Sequence, residues 1–310
     1  MGTFKVELPG QRSAPSVSIR LQQLLPKLVL SPSVLITLVF VYGFIVWTTY
    51  LSFTKSRGYA VHELVGLLQY ERVWAQPRWS VALHNLAVFG VLYVVICLFL
   101  GLLLAILLDQ RIRQEGTLRA IFLYPMAISF IVTGTAWKWM LNPGLGLEKL
   151  MHDWGFANFK FDWIVNEDMA IYTLVIAGVW QASGFVMAMF LAGLRGIDQD
   201  IIKAASIDGA RMLRIYWRII IPQLRPVFLS SLVILAHLAI KSYDLVVALT
   251  GGGPGYATDL PSTFMYAHTF TRNQLGMGAA SAVMMMLTVA AIMVPFLYSE
   301  VRHARATGRG

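Results

Sequence analysis

Charge is scarce in this chain. Asp, Glu, Lys and Arg make up 13% of its 310 residues, against roughly 25% in soluble domains, which excludes an ordinary soluble globular class. The single cysteine, Cys97, rules out an intrachain disulfide and, lying inside an apolar run, says nothing about redox compartment. Signatures of enzymatic chemistry are missing as well. There is no HExxH and no GxSxG, and "GGGPG" at Gly251 to Gly255 lacks the Lys-Ser/Thr ending of a phosphate loop. It reads instead as a tight turn in front of a short helix. No internal repeat and no broken midplane helix is evident, and an ion-coupled transporter would often show both.

What the chain has is apolar length. Hydrophobic residues are 57% of it and the mean hydropathy is +0.64, so the expected class is an all-α integral membrane protein. Six spans are expected at about 33–53, 81–108, 118–141, 170–194, 226–250 and 277–299, each near the twenty residues that cross a bilayer. The organisation is then a segment over 1–32, a six-span membrane domain over 33–299 with a long loop at 195–226, and a tail over 300–310. Polar residues precede the first run, which suits a retained anchor better than a cleaved leader. "IRLQQLLPKLVL" has the mixture of leucine and basic residues of a surface-lying helix.

The basic residues set the orientation. Sixteen Lys and Arg fall on the side holding both termini and the 195–226 loop, and seven on the other. The richer side is expected to be cytoplasmic. The net charge of +9 is then a loop effect and not a sign of nucleic acid. On the other side, Glu148, Asp153, Asp162, Glu167 and Asp168 lie among Trp154, Phe156, Phe159 and Trp163, which suits either an interfacial anchor or a contact with a soluble partner.

The 195–226 loop has its own design. Asp198 suits a helix N-cap, with Asp200 at the positive end of the helix dipole. Gly209 suits a helix terminator. A second helix is expected from Arg211, and Pro222 marks where regular hydrogen bonding stops. Leu213, Tyr216, Trp217 and Ile220 recur at helical spacing as an apolar stripe, beside a basic stripe of Arg211, Arg214 and Arg218. Such a helix fits lipid phosphate or a partner groove. The small residues of "KAAS" before it favour close approach to another protein.

"KAASIDGA" followed by "IIIPQLRP" resembles the signature loop of ATP-binding-cassette importer permeases. The motif positions are Ala204, Ala205, Asp208, Gly209, Ile219 and Pro222, with Ala210 adjoining, while Lys203 stands where the family has glutamate. "WKWMLNPGLG", "FLAGLRGID" and "LTGGGPGYATDLPSTFMYAHTF" are similar to the maltose-permease-type carbohydrate branch. The whole pattern looks closest to the first permease subunit of bacterial glucose/mannose importers. The resemblance implies a six-helix importer permease fold in a bacterial inner membrane, with the loop as a coupling helix. It also implies a second homologous permease, two ATP-binding subunits that carry ATP and Mg, an extracytoplasmic sugar-binding protein, and no cofactor or metal on this chain. A disaccharide or glycerol phosphate is the alternative cargo, and an ion-coupled carrier or a non-conducting scaffold the alternative class.

Polar residues inside spans mark a path or a partner. His237, Lys241 and Asp244 fall at i, i+4 and i+7, with Tyr243 offset; they line a sugar path or form a pair buried against the second permease. Gln181 and Ser183, beside Trp180, complete the candidate path. Lys138 between Trp137 and Trp139 reads as a surface anchor.

Overall fold

The computed structural model describes residue 27 and residues 29–110 and 112–306, with side chains through 298. The surface helix expected over 19–30 lies largely outside them. The described residues form two units, one ending at Tyr50 and the other beginning at Leu51. The first unit is nearly all of helix α1 (Val29–Ser52), long and apolar enough to span.

The second unit is helical throughout, with only two isolated β-bridges among the described residues. In order come α2 (Leu68–Trp74), α3 (Pro77–Asp109), α4 (Glu115–Ala127), α5 (Phe130–Met140), α6 (Leu147–Asp153) and α7 (Ala170–Arg195). Then follow α8 (Gln199–Ile207), α9 (Met212–Gln223), α10 (Arg225–Ile240), α11 (Asp244–Leu249), α12 (Pro261–Tyr266) and α13 (Leu275–Ala306). With α1, four helices are continuous candidate spans: α1, α3, α7 and α13. The α4–α5 and α9–α10 pairs qualify jointly but bend by 99° and 62°, and counting each as one span gives six.

The bundle is built on α3 against α7, the most extensive packing in the unit. Along α3 the buried residues are Trp79, Ala82, Asn85, Phe89, Tyr93, Cys97, Gly101, Ala105 and Leu108. A step of three or four keeps them on one stripe. At about 1.5 Å per residue this helix is roughly 50 Å long, so it overruns a hydrocarbon core of about 30 Å. Between lipid-solvated helices, close backbone approach is what brings association energy. At Gly101 an added Cβ would lie 2.5 Å from Val186 Cγ1, and at Gly184 it would fall on the carbonyl oxygen of Phe122 in α4. These two glycines let α7 sit against α3 on one side and α4 on the other.

Two expected spans are not single helices. Over 118–141, Pro125 withdraws a backbone donor, Ile128 is extended, and Ser129 starts α5 by accepting from the Val132 amide at 3.3 Å. Over 226–250, α10 ends at Ile240 and α11 starts at Asp244. The expectation of one continuous helix over each of these two spans is therefore corrected. Beyond the breaks, α5 and α11 pack together, tightly enough that a Cβ on Gly134 would come 2.6 Å from Ala248 Cβ.

Replacing Gly184 with valine is expected to force α4 and α7 apart, at a cost of about 1–3 kcal/mol. Gly116, with open space at its Cβ position, is the control, since alanine there is neutral or stabilising by up to about 1 kcal/mol. Melting midpoints of the purified variants in detergent would show a clear fall for the first and none for the second.

Candidate functional site

Arg195 identifies one end of the bundle. It closes α7 and reaches Glu115 at the start of α4 at 2.6 Å and Asp109 at the end of α3 at 3.9 Å. Three helix ends are tied at this point, and the 199–223 elbow leaves from it. As expected, Asp198 caps α8, its side chain accepting from the Asp200 amide at 2.9 Å. Gly209 has φ +76°, a backbone conformation that suits glycine, and α9 follows with Arg211 at its N-cap. Pro222 does not end α9. The helix loosens into a π-helical segment over Tyr216–Ile220, where the Ile221 amide bonds the Tyr216 carbonyl, and stops after Gln223.

The apolar stripe divides differently from its sequence spacing. Ile215, Ile220 and Leu224 pack into the core, with Ala205, Ala210, Tyr216 and Ile219 against it. Leu213 and Trp217 instead point outward, 71% and 66% exposed, and Ile207 at the end of α8 is 86% exposed. Lys203 pairs with Asp200 at 2.8 Å in the open, and Ala204 and Asp208 are exposed beside it. Arg211, Arg214 and Arg218 are exposed and make no ion pair among the described residues. The elbow thus offers an apolar ridge edged by free arginines.

The breaks carry the second part of the site. A carbonyl released from a helix inside hydrocarbon needs a donor. The Ile128 carbonyl receives one from Gln181 Nε2 at 2.7 Å, and the Ser242 carbonyl from Ser262 Oγ at 3.0 Å. Gln181, expected on a sugar path, is therefore buried and holds the α4–α5 break. Ser183 lines an apolar cavity of about 520 Å³ with Trp137 and Trp180, whose rings meet edge to face at 5.9 Å.

His237, Lys241 and Asp244 do not share one helix face. His237 is in the last turn of α10, Lys241 caps its end, and Asp244 opens α11. All three are exposed, and no ion pair joins Lys241 to Asp244 among the described residues. Phe130, Lys241, Ser242, Tyr243 and Asp244 instead surround a cavity of about 110 Å³ where the two breaks meet. Tyr243 packs on Tyr266 at 4.7 Å, and Tyr266 on Phe270 at 4.9 Å.

At the opposite end of the bundle stands a group that spacing did not suggest. Arg78 grips Asp259 with two bonds of 2.6 and 3.0 Å, lies 4.7 Å over the Tyr256 ring, and is joined there by Thr263, which donates to Asp259 at 2.6 Å. Asn85 donates to the carbonyls of Tyr256 and Asp259. This network ties the glycine-rich turn after α11 to the start of α3. Close by, buried His268 bonds Gln274 through Nδ1 at 2.8 Å and Arg272 through Nε2 at 3.2 Å. Burial first, then Arg272 and Arg78, holds its pKa below the ordinary 6.5, while Gln274 and Asp259 oppose them.

Residues 115–303 match the family described as "Binding-protein-dependent transport system inner membrane component", and the chain belongs to that family. A probable ABC transporter permease protein of Pyrococcus horikoshii is 38% identical over 273 residues, spanning 87% of this chain and 94% of that protein. The xylose/arabinose import permease protein XacH of Haloferax volcanii is 35% identical over 264 residues, 84% of this chain and 83% of that one. Among solved structures, a bacterial ABC transporter involved in the import of the acidic polysaccharide alginate superposes with a TM-score of 0.79 at 18% identity, over 92% of this chain and 97% of its own. The fold is that of an ABC importer permease, a multi-pass membrane component without its own catalytic site.

Asp259→Ala is expected to strand Arg78 and cost about 3–5 kcal/mol, as breaking a buried ion pair does. It should lower the melting midpoint sharply, and Asp259→Asn only in part. His268, neutral in the folded chain, binds its proton more readily when unfolded. Its stabilisation is therefore present above about pH 6.5 and lost as pH falls through its lowered folded value. Melting curves should soften on acidification, and His268→Gln should flatten that dependence.

Proposed function

We propose that this chain is one of the two membrane-spanning subunits of an ATP-driven carbohydrate importer whose cargo is a monosaccharide of the glucose/mannose type. The α8–α9 elbow faces the cytoplasm, as its arginines require, and seats on an ATP-binding subunit that carries ATP and Mg. The observation that carries the reading is the outward apolar ridge of Ile207, Leu213 and Trp217 at the end tied by Arg195, since exposed apolar patches mark contact surfaces. Lys203 replaces the family's acid there, so the groove that receives it is expected to offer a carboxylate.

The full assembly would add a second homologous permease, a second ATP-binding subunit and an extracytoplasmic sugar-binding protein. An alginate importer has been solved in complex with its periplasmic protein, which supports the last of these. ATP closes the motor, the elbow moves, and the Arg195 tie passes that motion to α3, α4 and α7. The sugar crosses at the cavity between the breaks, where Lys241, Ser242, Tyr243 and Asp244 supply donors and acceptors, and Tyr243, Tyr266 and Phe270 supply aromatic faces. His237 lies one turn nearer the elbow end.

The test is reconstitution with the ATP-binding subunits and the sugar-binding protein, reading ATP hydrolysis and labelled-sugar uptake over a panel. Glucose or mannose uptake is expected, and preference for a pentose would overturn the cargo. Trp217→Glu should release the ATP-binding subunits on co-purification. Lys241→Met, Asp244→Asn and the double variant should each cut uptake about tenfold with the assembly intact, a difference of about 1.4 kcal/mol. Normal uptake in all three would remove these residues from the path.

A further inference from the structure

A polar cavity of about 300 Å³ lies at the end of the bundle opposite the elbow, lined by Ser56, Arg57, Gln69, Arg72, Gln76 and Gln274. Its walls are braced. Gln69 Nε2 donates to the Thr54 carbonyl at 2.8 Å, and Ser56 shares a hydrogen bond with Thr54 Oγ1 at 2.6 Å. The Gly276 amide bonds the Ser56 carbonyl at 3.0 Å and the Gly58 amide the Asn273 carbonyl at 2.8 Å. Gln274 Oε1 is committed to His268 at 2.8 Å, which leaves its amide nitrogen as a donor. A Cβ on Gly276 would come 2.5 Å from the Thr54 carbonyl oxygen, so the loop before α2 and the start of α13 are pressed together.

The two arginines are the unexplained feature. Neither makes an ion pair among the described residues. Two acids on neighbouring elements are engaged elsewhere: Glu63 holds Lys55 at 3.3 Å and Asp259 holds Arg78. Glu71, beside Arg72, is exposed and is not part of the lining. Two cations that share a cavity repel until an anion enters. Guanidinium groups flanked by amide donors are matched to a carboxylate, which they bind through paired bonds. No aromatic ring lines the cavity, so a sugar ring finds no face to lie on, and the break cavity beside Lys241 is a separate place.

We infer that this cavity is a socket for an acidic side chain, Asp or Glu, of the sugar-binding protein when it docks on the outer face. The inference rests on the importer reading above, which places this end outside the membrane. Charge complementarity selects the occupant. A soluble protein that must land on this face, release its sugar and leave gains rate and orientation from such a contact.

The experiment titrates the purified sugar-binding protein against ATP hydrolysis by the reconstituted complex. Arg57→Glu/Arg72→Glu is compared with Arg57→Lys/Arg72→Lys and with the unaltered protein. The reversed variant should need about tenfold more binding protein for half-maximal stimulation, a difference of about 1.4 kcal/mol. Its basal hydrolysis and its maximum at saturation should be retained, and the lysine variant should stay close to the unaltered protein. Reversing an acidic side chain of the binding protein to lysine should restore the reversed variant. An unchanged midpoint in the reversed variant overturns the socket. So does an unchanged midpoint with lost uptake, which would make the cavity a cargo site. If the unaltered complex is not stimulated at all, the importer reading fails, and that result is distinct from either.

Discussion

A break in a membrane-spanning helix frees carbonyls from their intrahelical donors, and this fold depends on meeting that cost at two places. Gln181 from α7 donates to the Ile128 carbonyl, and Ser262 from α12 to the Ser242 carbonyl. Because both donors come from other elements, each break is held by tertiary structure and not by its own segment. The consequence is a pair of short helices, α5 and α11, packed on each other through Gly134. A small cavity is left where the chain turns. Irregular backbone at membrane depth is tolerated where it lines such a space, and the space gives the break its use.

The two ends of the bundle are built to different rules. At the elbow end, Arg195 gathers three helix ends through partly exposed ion pairs. Such contacts are weak individually and rearrange without large penalty, which suits a region that passes motion from α8 and α9 into the bundle. At the other end, Asp259 is 1% exposed and bonded to Arg78, Thr263 and the surrounding turn. Breaking a buried, fully bonded pair is costly, so this end behaves as a fixed frame. In the proposed importer, a loosely tied end and a rigid end together would let the chain open alternately to two sides.

Much of this was legible in the sequence, for identifiable reasons. The spans come from runs of apolar residues, and the elbow from Asp198, Gly209 and their spacing, since caps and left-handed glycines are local chemistry. The family resemblance lay in the same stretch. What escaped depended on partners far along the chain. "YPMAIS" contains Pro125 and Ser129, a breaker and a cap four residues apart, and was a readable signal for the α4–α5 break. "IKSYD" carries no comparable mark, so spacing alone puts Lys241 and Asp244 on one helix. Leu213 and Trp217 share a helical stripe with Ile220, but only the position of Leu224 and the core decides which of them is covered. Arg78 and Asp259 lie 181 residues apart, and no periodicity relates them.

The central claim is that the meeting of the two breaks is a wet, sugar-accessible site within the bundle. It is tested most directly by thiol accessibility in sealed vesicles. Cysteines would be placed singly at Phe130 and Ser242 in a Cys97→Ala background, Cys97 being fully buried. The account predicts labelling by a membrane-impermeant reagent that transported sugar slows and that changes when ATP is bound. Inert thiols in every nucleotide state, in complexes that still transport, would show that the breaks are sealed in protein or lipid and would contradict it.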